Sequence, residues 1–260
     1  MRNVVKLCVA MFLAIATFYP FFKSEVTEII ESVEEDDRPD FKSHSDVNKK
    51  KIAFFDYLRG GVERENKRIE SERGQLLAIK KLSSFKSLTE KQVQLVANIA
   101  SKYKLDLPDT GITEDWLDKA LLKVNVLPES LVLTQAANES AWGTSRFAVE
   151  GNNFFGQWCY TKGCGLIPLQ RNEDATHEVA KFASAEDSIH AYFMNVNRNR
   201  AYQELREIRQ NLATEGKSLL DSNAAIALTQ GLHRYSERGH DYVDEIQAMI
   251  RVNKKYWTTQ

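Results

Sequence analysis

The stretch Pro128-Glu129-Ser130-Leu131-Val132-Leu133-Thr134-Gln135-Ala136-Ala137-Asn138-Glu139-Ser140-Ala141-Trp142-Gly143 decides how the rest of the chain is read. Pro128 and Glu129 suit a helix first turn, and Val132, Gln135, Ala136 and Glu139 then share one helical face. Gly143 is a stop signal, a residue that takes the left-handed cap conformation. Glu139 therefore falls in the last turn, on a face otherwise made of small or apolar groups and beside Trp142. Partial desolvation and the negative end of the helix dipole both disfavour its anion, so both raise its pKa. A carboxyl kept protonated near neutral pH is what general acid catalysis requires. The plain alternative is an exposed helix-end residue making local hydrogen bonds, the usual fate of a lone Glu.

Ten residues after Gly143 comes Asn153-Phe154-Phe155-Gly156. Together, Glu139-Ser140-Ala141-Trp142-Gly143 and Asn153-Phe154-Phe155-Gly156 resemble the E-S-x-W-G and N-x-F-G signatures of the bacterial glucosaminidases, glycoside hydrolase family 73. Two further stretches match in the expected order, Lys51-Ile52-Ala53-Phe54-Phe55-Asp56-Tyr57-Leu58-Arg59 and Tyr235-Ser236-Glu237-Arg238-Gly239-His240-Asp241-Tyr242-Val243. The resemblance implies a mainly α (α+β) fold, a lysozyme-like helical domain with a small β-hairpin lobe lining a glycan cleft. It implies a peptidoglycan hydrolase of the endo-β-N-acetylglucosaminidase type, cleaving the β-1,4 bond after N-acetylglucosamine, with Glu139 as proton donor. No metal and no organic cofactor are implied. The rival readings are a lytic transglycosylase, whose Gly-Leu-Met-Gln-type segment is missing here, and a non-enzymatic glycan-binding envelope protein.

Glycoside hydrolysis usually needs a second group across the bond. This is a carboxylate about 5–5.5 Å from the acid in retaining sites and about 6.5–9.5 Å in inverting ones, or else the substrate's own acetamide. The resemblance places a Glu on the β-lobe, and both Glu173 and Glu178 match; Glu178 ranks ahead because Val179 and Phe182 mark the strand it would begin. It also brings the first Tyr of a Y-x-x-D-x-x-Y segment, Tyr235, to the cleft near Glu139. Tyr242, at helix spacing before Ile246, reads as core. Arg238 stands where the family has Asp.

The chain has 260 residues and a net charge of -1, room for one or two domains and no basic excess to call for nucleic acid. Arg2 and Lys6 precede an uncharged apolar run from Leu7 to Phe22, closed by Lys23. Residues 1–23 thus read as a signal peptide or, since Phe18, Tyr19, Phe21 and Phe22 crowd any cleavage site, as an uncleaved inner-membrane anchor through residues 7–22. The expected location is periplasmic, as a monomer acting on peptidoglycan strands. Residues 24–50, with Glu31, Glu34, Glu35, Asp36, Asp37 and Asp40, read as a flexible acidic linker.

Residues 51–124 read as a helical N-terminal extension and residues 125–257 as the catalytic domain. Phe55, Val62, Ile69 and Leu76 recur at every seventh position among charges, a narrow stripe that packs along another element or a coiled-coil partner. Gly60-Gly61 is expected to break or kink this long polar helix. Leu88 to Tyr103 forms a second helix with Val93, Val96, Ala97 and Ala100 on one face, and Thr113 caps a third over Trp116 to Leu122.

From Trp158 to Phe182 the pattern changes. Gly163, Gly165 and Pro168 lie among Cys159, Tyr160, Leu166, Ile167, Val179 and Phe182, which suits a small hairpin lobe. Cys159 and Cys164 bracket a Gly-containing loop short enough to bridge, and an exported protein meets an oxidising compartment, so a disulfide is expected. Zinc would need two more ligands at supporting spacing. Trp142, Phe154, Phe155, Trp158 and Tyr160 cluster within 19 positions, as suits sugars with apolar C–H faces. Trp142 and Phe154 are read mainly as packing around the Glu139 helix end, Trp158 and Tyr160 as cleft, and Phe155 as a further glycan contact. Asn152 and Asn153 would hydrogen-bond sugar or backbone.

Overall fold

A computed structural model of the chain describes residues 38–258 except 83, 84, 86, 87, 110 and 170–176. The expected anchor, most of the expected linker, and Glu173 lie outside the described residues. Among the described residues no helix is long and apolar enough to cross a membrane.

Nine α-helices and one small sheet are formed by the described residues. The first helix, α1 (Val47–Lys80), starts where the Asp46 side chain accepts from the Lys49 N–H. It then runs unbroken through Gly60-Gly61, because Gly61 serves packing. A Cβ there would lie 2.7 Å from Ile189 Cδ1, so the missing side chain lets α6 (Ala185–Arg198) close onto α1. Phe55, Val62, Ile69 and Leu76 are all fully buried, against the chain's own body rather than a coiled-coil partner. Residues Pro39–Gln260 make one compact unit, so the helical extension expected over 51–124 is packed into the same body as the residues after it.

Next come α2 (Glu90–Tyr103), α3 (Glu114–Lys123), α4 (Glu129–Glu139) and α5 (Arg146–Gly151). Thr113 caps α3 as expected, accepting from the Trp116 N–H at 3.2 Å. In α2 the buried face is Val96, Ile99, Ala100 and Tyr103, while Val93 is half exposed, so the apolar face is rotated from the one expected. Tyr103 fixes that rotation, since its hydroxyl donates to Glu72 of α1 at 2.7 Å. Lys102 binds the same carboxylate, Arg68 joins Glu72 to Glu65, and His190 of α6 meets Glu65 at 3.0 Å. Burial alone would raise the Glu65 carboxyl, but the hydrogen bonds and charges of Arg68 and His190 overrule it and hold it at about 2.

The end of α3 is held by cations. Buried Arg209 of α7 (Gln203–Thr214) donates to the carbonyls of Leu122, Asn125 and Val126, and Arg73 of α1 to those of Leu121 and Val124. Those of Leu121 and Leu122 are carbonyls that the last turn of α3 leaves without intrahelical donors, and the other three belong to the segment that follows it. With no carboxylate beside it among the described residues, Arg209 is pushed by burial down to about 9. The body closes with α8 (Ser222–Leu228) and α9 (His240–Val252), both packed on α4.

The lobe is a three-stranded antiparallel sheet rather than a two-stranded hairpin. Strand β3 (Glu178–Ala180) lies between β1 (Trp158–Cys159) and β2 (Gly165–Leu166), with Trp158 opposite Val179 and Gly165 opposite Ala180.

Candidate active site

Helix α4 is enclosed on every side: each residue from Glu129 to Ala137 is buried, and only its last two, Asn138 and Glu139, reach partial exposure. The helix does end at Glu139, but Gly143 is not its cap. Ser140 ends it, and Ala141, Trp142 and Gly143 follow with φ of 51°, 59° and 74°, three successive left-handed residues. Two of them carry side chains and cost about 1–2 kcal/mol each in that region. The turn is held by the Trp142 N–H donating to Ala137 O at 2.8 Å, the Gly143 N–H to Ser140 Oγ at 2.8 Å, and Ser140 Oγ to Ala136 O at 2.6 Å. A Cβ on Gly143 would fall 2.4 Å from the Phe41 ring, which lies against the turn and packs on Phe54 and Tyr57.

That turn aims Glu139 out of the body. Its carboxyl is half buried, and desolvation, with the charge of Glu245 adding to it, raises its pKa above the ordinary value. Hydrogen bonds from Tyr242 and Asn138 and the charge of Arg238 pull the other way without cancelling the rise. The Tyr242 hydroxyl donates to Glu139 Oε1 at 2.8 Å and accepts from Gln135 Nε2 at 2.9 Å, while Gln135 Oε1 accepts from the Tyr192 hydroxyl. Gln135, on the face shared with Glu139, thus holds the phenol that holds the acid. Gly156, with φ 64°, brings its Cα side to the other oxygen: a Cβ there would sit 3.6 Å from Glu139 Oε2. The two separated sequence signatures meet at one carboxyl.

The two tyrosine hydroxyls find partners other than those expected. Tyr242 is core, 2% exposed, yet its hydroxyl is the one on Glu139. Tyr235 stacks on Tyr242 with ring centres 5.4 Å apart and donates to the Phe155 carbonyl at 2.8 Å, so its hydroxyl is engaged with backbone. Only the pairing of residues 103 apart in sequence identifies Tyr242, and helical spacing before Ile246 reports nothing but its burial.

Other expected contacts turn inward. Trp142 packs edge-on against Phe54 and Phe55, with Lys51 over its ring. Asn153 is buried; its amide donates to Gln157 O and Ala180 O, and its carbonyl accepts from the N–H groups of Phe155 and Gln157, joining body to lobe. Asn152 takes φ 48° as the cap of α5 and donates to Ala183 O at 3.2 Å. For both Asn residues the backbone is the partner found. Phe155 stacks on Tyr192 at 4.3 Å, and Phe154 is core. Trp158 and Tyr160 remain exposed, at 55% and 74%, and Trp158 lies flat on His177 at 4.1 Å.

The expected disulfide Cys159–Cys164 is formed. Beside it, Glu178 accepts from the Gly163 N–H at 3.0 Å through Oε1 and from the Gly165 N–H at 2.8 Å through Oε2. Both of its oxygens therefore tie the loop of the lobe, which is not the free carboxylate the sequence led one to expect. Cys159, Cys164 and Glu178 also lie within 4.8 Å of one another in the spacing of metal ligands, but the two sulfurs are bonded to each other and offer no thiolate.

Comparison with known proteins points the same way. A family model named Glucosaminidase, described as mannosyl-glycoprotein endo-beta-N-acetylglucosaminidase, matches residues 114–255. Protein bax of Escherichia coli (strain K12) is 27% identical over 217 residues, covering 84% of this chain and 74% of that protein. No solved structure matches. With more than half of the chain under the family model, and with Glu139 and the Asn153–Gly156 loop inside it, the chain belongs to the glucosaminidase family.

Proposed function

We propose that the chain is a peptidoglycan hydrolase that cleaves the β-1,4 glycosidic bond after N-acetylglucosamine in the glycan strand, with Glu139 as general acid. The observation that carries this reading is the Glu139 carboxyl: half buried, raised in pKa chiefly by desolvation, and held by Tyr242 at 2.8 Å. An acid so placed keeps its proton until a leaving glycosidic oxygen takes it. Tyr242 then donates to the carboxylate left behind. Trp158, flat on His177, and Tyr160 offer exposed ring faces for the C–H faces of sugars. Tyr235 acts by fixing the Phe155 carbonyl and the Tyr242 ring.

The glucosaminidase family model supports the glycosidase class; the bond cleaved and the endo mode are our reading. We further propose that residues 1–23 export the chain and hold it at the inner membrane, so that it acts in the periplasm. An oxidising compartment accords with the Cys159–Cys164 bridge. Incubating the protein with purified murein sacculi and identifying the new ends by mass spectrometry tests the reaction. Reducing N-acetylglucosamine ends are expected. Anhydro-muramic ends would replace this reading with a lytic transglycosylase, and no products with a glycan-binding protein.

A further inference from the structure

Three buried side chains behind the acid form a hydrogen-bonded row whose direction is fixed. The Tyr192 hydroxyl meets Gln135 Oε1, Gln135 Nε2 lies 2.9 Å from the Tyr242 hydroxyl, and that hydroxyl lies 2.8 Å from Glu139 Oε1. Gln135 and Tyr192 are fully buried, and Tyr242 is 2% exposed. Burial raises the pKa of both tyrosines, so each remains a phenol with one hydrogen to place. A carbonyl oxygen cannot donate, so Tyr192 gives its hydrogen to Gln135. An amide nitrogen cannot accept, so it donates to Tyr242, whose own hydrogen is left for Glu139. Turning the amide over would set its NH₂ against the Tyr192 hydroxyl and take from that buried hydrogen the acceptor it has.

The direction matters at the carboxyl. With the Tyr242 hydrogen on the line to Oε1, a second hydrogen has no room there, and the acid form carries its proton on Oε2. Oε2 faces Gly156, where a Cβ would meet it at 3.6 Å and, among the described residues, no other heavy atom within 4 Å beyond the flanking residues. The missing side chain leaves space beside the proton. Asn138 also hydrogen-bonds the carboxyl, and Glu245 and Arg238 bear on it with opposite charges, but none of the three belongs to the row.

We propose that Gln135 is a positioning residue: by fixing the direction of the Tyr242 hydroxyl it keeps the Glu139 proton on Oε2, the oxygen beside Gly156, and Oε2 is the atom that protonates the leaving oxygen. The inference rests on the glycosidase reading above. In the step, the bond from C1 to the leaving oxygen breaks with its electron pair going to that oxygen, which takes the Oε2 proton. The Tyr242 hydrogen stays on the phenol, where it steadies the carboxylate left behind. Water closes the balance: its oxygen bonds to C1, and the proton it sheds restores the carboxyl to its acid form.

The test follows kcat and KM against pH on soluble uncrosslinked glycan strands for the full-length wild type, Gln135→Met, Tyr192→Phe, Tyr242→Phe, Glu139→Gln, and Gln135→Met combined with Tyr242→Phe. Without the amide donor, the Tyr242 hydroxyl can accept from a proton on Oε1, which diverts the acid and stabilises its protonated form. Gln135→Met is therefore expected to lower kcat about 3–10-fold, the scale of one neutral hydrogen bond, with KM unchanged and the alkaline limb moved upward. Tyr192→Phe keeps the amide but frees it to turn, so both effects should appear in the same direction and smaller. The double variant should lose no more than Tyr242→Phe alone, since no hydroxyl is left to direct; a merely structural Gln135 would add its loss in full. Gln135→Met and Tyr192→Phe that fold and keep the wild-type profile, or additive losses in the double variant, would overturn this inference and leave the glycosidase reading standing. Neutron diffraction from deuterated wild-type crystals at acid pD needs no variant: deuterium is expected on Oε2, and deuterium on Oε1 aimed at Tyr242 would overturn the inference. A fully active Glu139→Gln, or an inactive wild type, would instead defeat the glycosidase reading and this inference with it.

Discussion

The helical body and the β-lobe hold their acidic residues by opposite means. In the body, Glu139 ends a helix whose first nine residues are buried, and desolvation there outweighs the hydrogen bonds of Tyr242 and Asn138, so its environment favours the protonated form. In the lobe, Glu178 is also buried, but two backbone amides point at it, an arrangement that suits a carboxylate. The body is built from packed apolar side chains and can leave one polar group poorly solvated. The lobe has three strands of two or three residues each, too few for a core of its own, and so relies on a disulfide and charge-assisted hydrogen bonds. A carboxyl in the first setting holds its proton more readily than an ordinary one. In the second both oxygens are engaged by backbone amides.

The largest break is expected at the turn that aims the acid. Gly143→Ala must accept φ 74° and push Phe41 aside, which should cost about 2–4 kcal/mol in urea denaturation. A loss under about 0.5 kcal/mol, the range of an ordinary surface change, would mean that Phe41 does not clamp the turn. Next comes the lobe. Replacing Cys159 and Cys164 by Ser removes a short cross-linked loop worth about 2 kcal/mol. Hydrogen exchange should then quicken at Gly163, Gly165 and Val179 while the helical amides hold, and a body that loosens equally would erase the distinction between the two regions.

A smaller effect sharpens the account of the body. Tyr242→Phe removes a hydrogen bond that steadies the Glu139 anion, at a cost of about 1 kcal/mol. Its pKa should climb further, moving the alkaline limb of the activity profile upward; a downward shift would contradict the assignment. The smallest concerns Glu139 itself. Folding raises its pKa, so its favourable contribution is full at pH below the unfolded carboxylate value and is lost as pH rises through the folded one. Glu139→Gln should therefore raise Tm at pH 7, with the gain shrinking as pH falls toward the ordinary carboxylate range. An equal gain at every pH would point to some cause other than ionisation.

Much of the body was legible from local pattern. The start of α4, Glu139 in its last turn, the Thr113 cap and the stripe from Phe55 to Leu76 each follow from spacing within a few turns of helix. The Cys159–Cys164 bridge followed from a short loop that contains Gly163. What local pattern could not carry is tertiary. Gly61 reads as a breaker until Ile189 is seen against it, and the buried face of α2 is set by Tyr103 reaching Glu72. Tyr242 reads as core because it is core, and its second role depends on a partner more than a hundred residues away. Asn153 and Trp142 belong to the signature that marks the site, yet the structure uses them to shape backbone and packing. A motif gathers positioning residues together with reacting ones, and only geometry separates them.

The central claim is that Glu139 supplies the proton. Wild-type protein and Glu139→Gln, both checked for an intact fold by circular dichroism, are incubated with murein sacculi at neutral pH, and released fragments are quantified by mass spectrometry. The account predicts fragments from the wild type and a loss of at least about 10³-fold in the variant, since Gln keeps the shape and the Tyr242 hydrogen bond but has no acidic proton to give. Release by Glu139→Gln at the wild-type rate would contradict it.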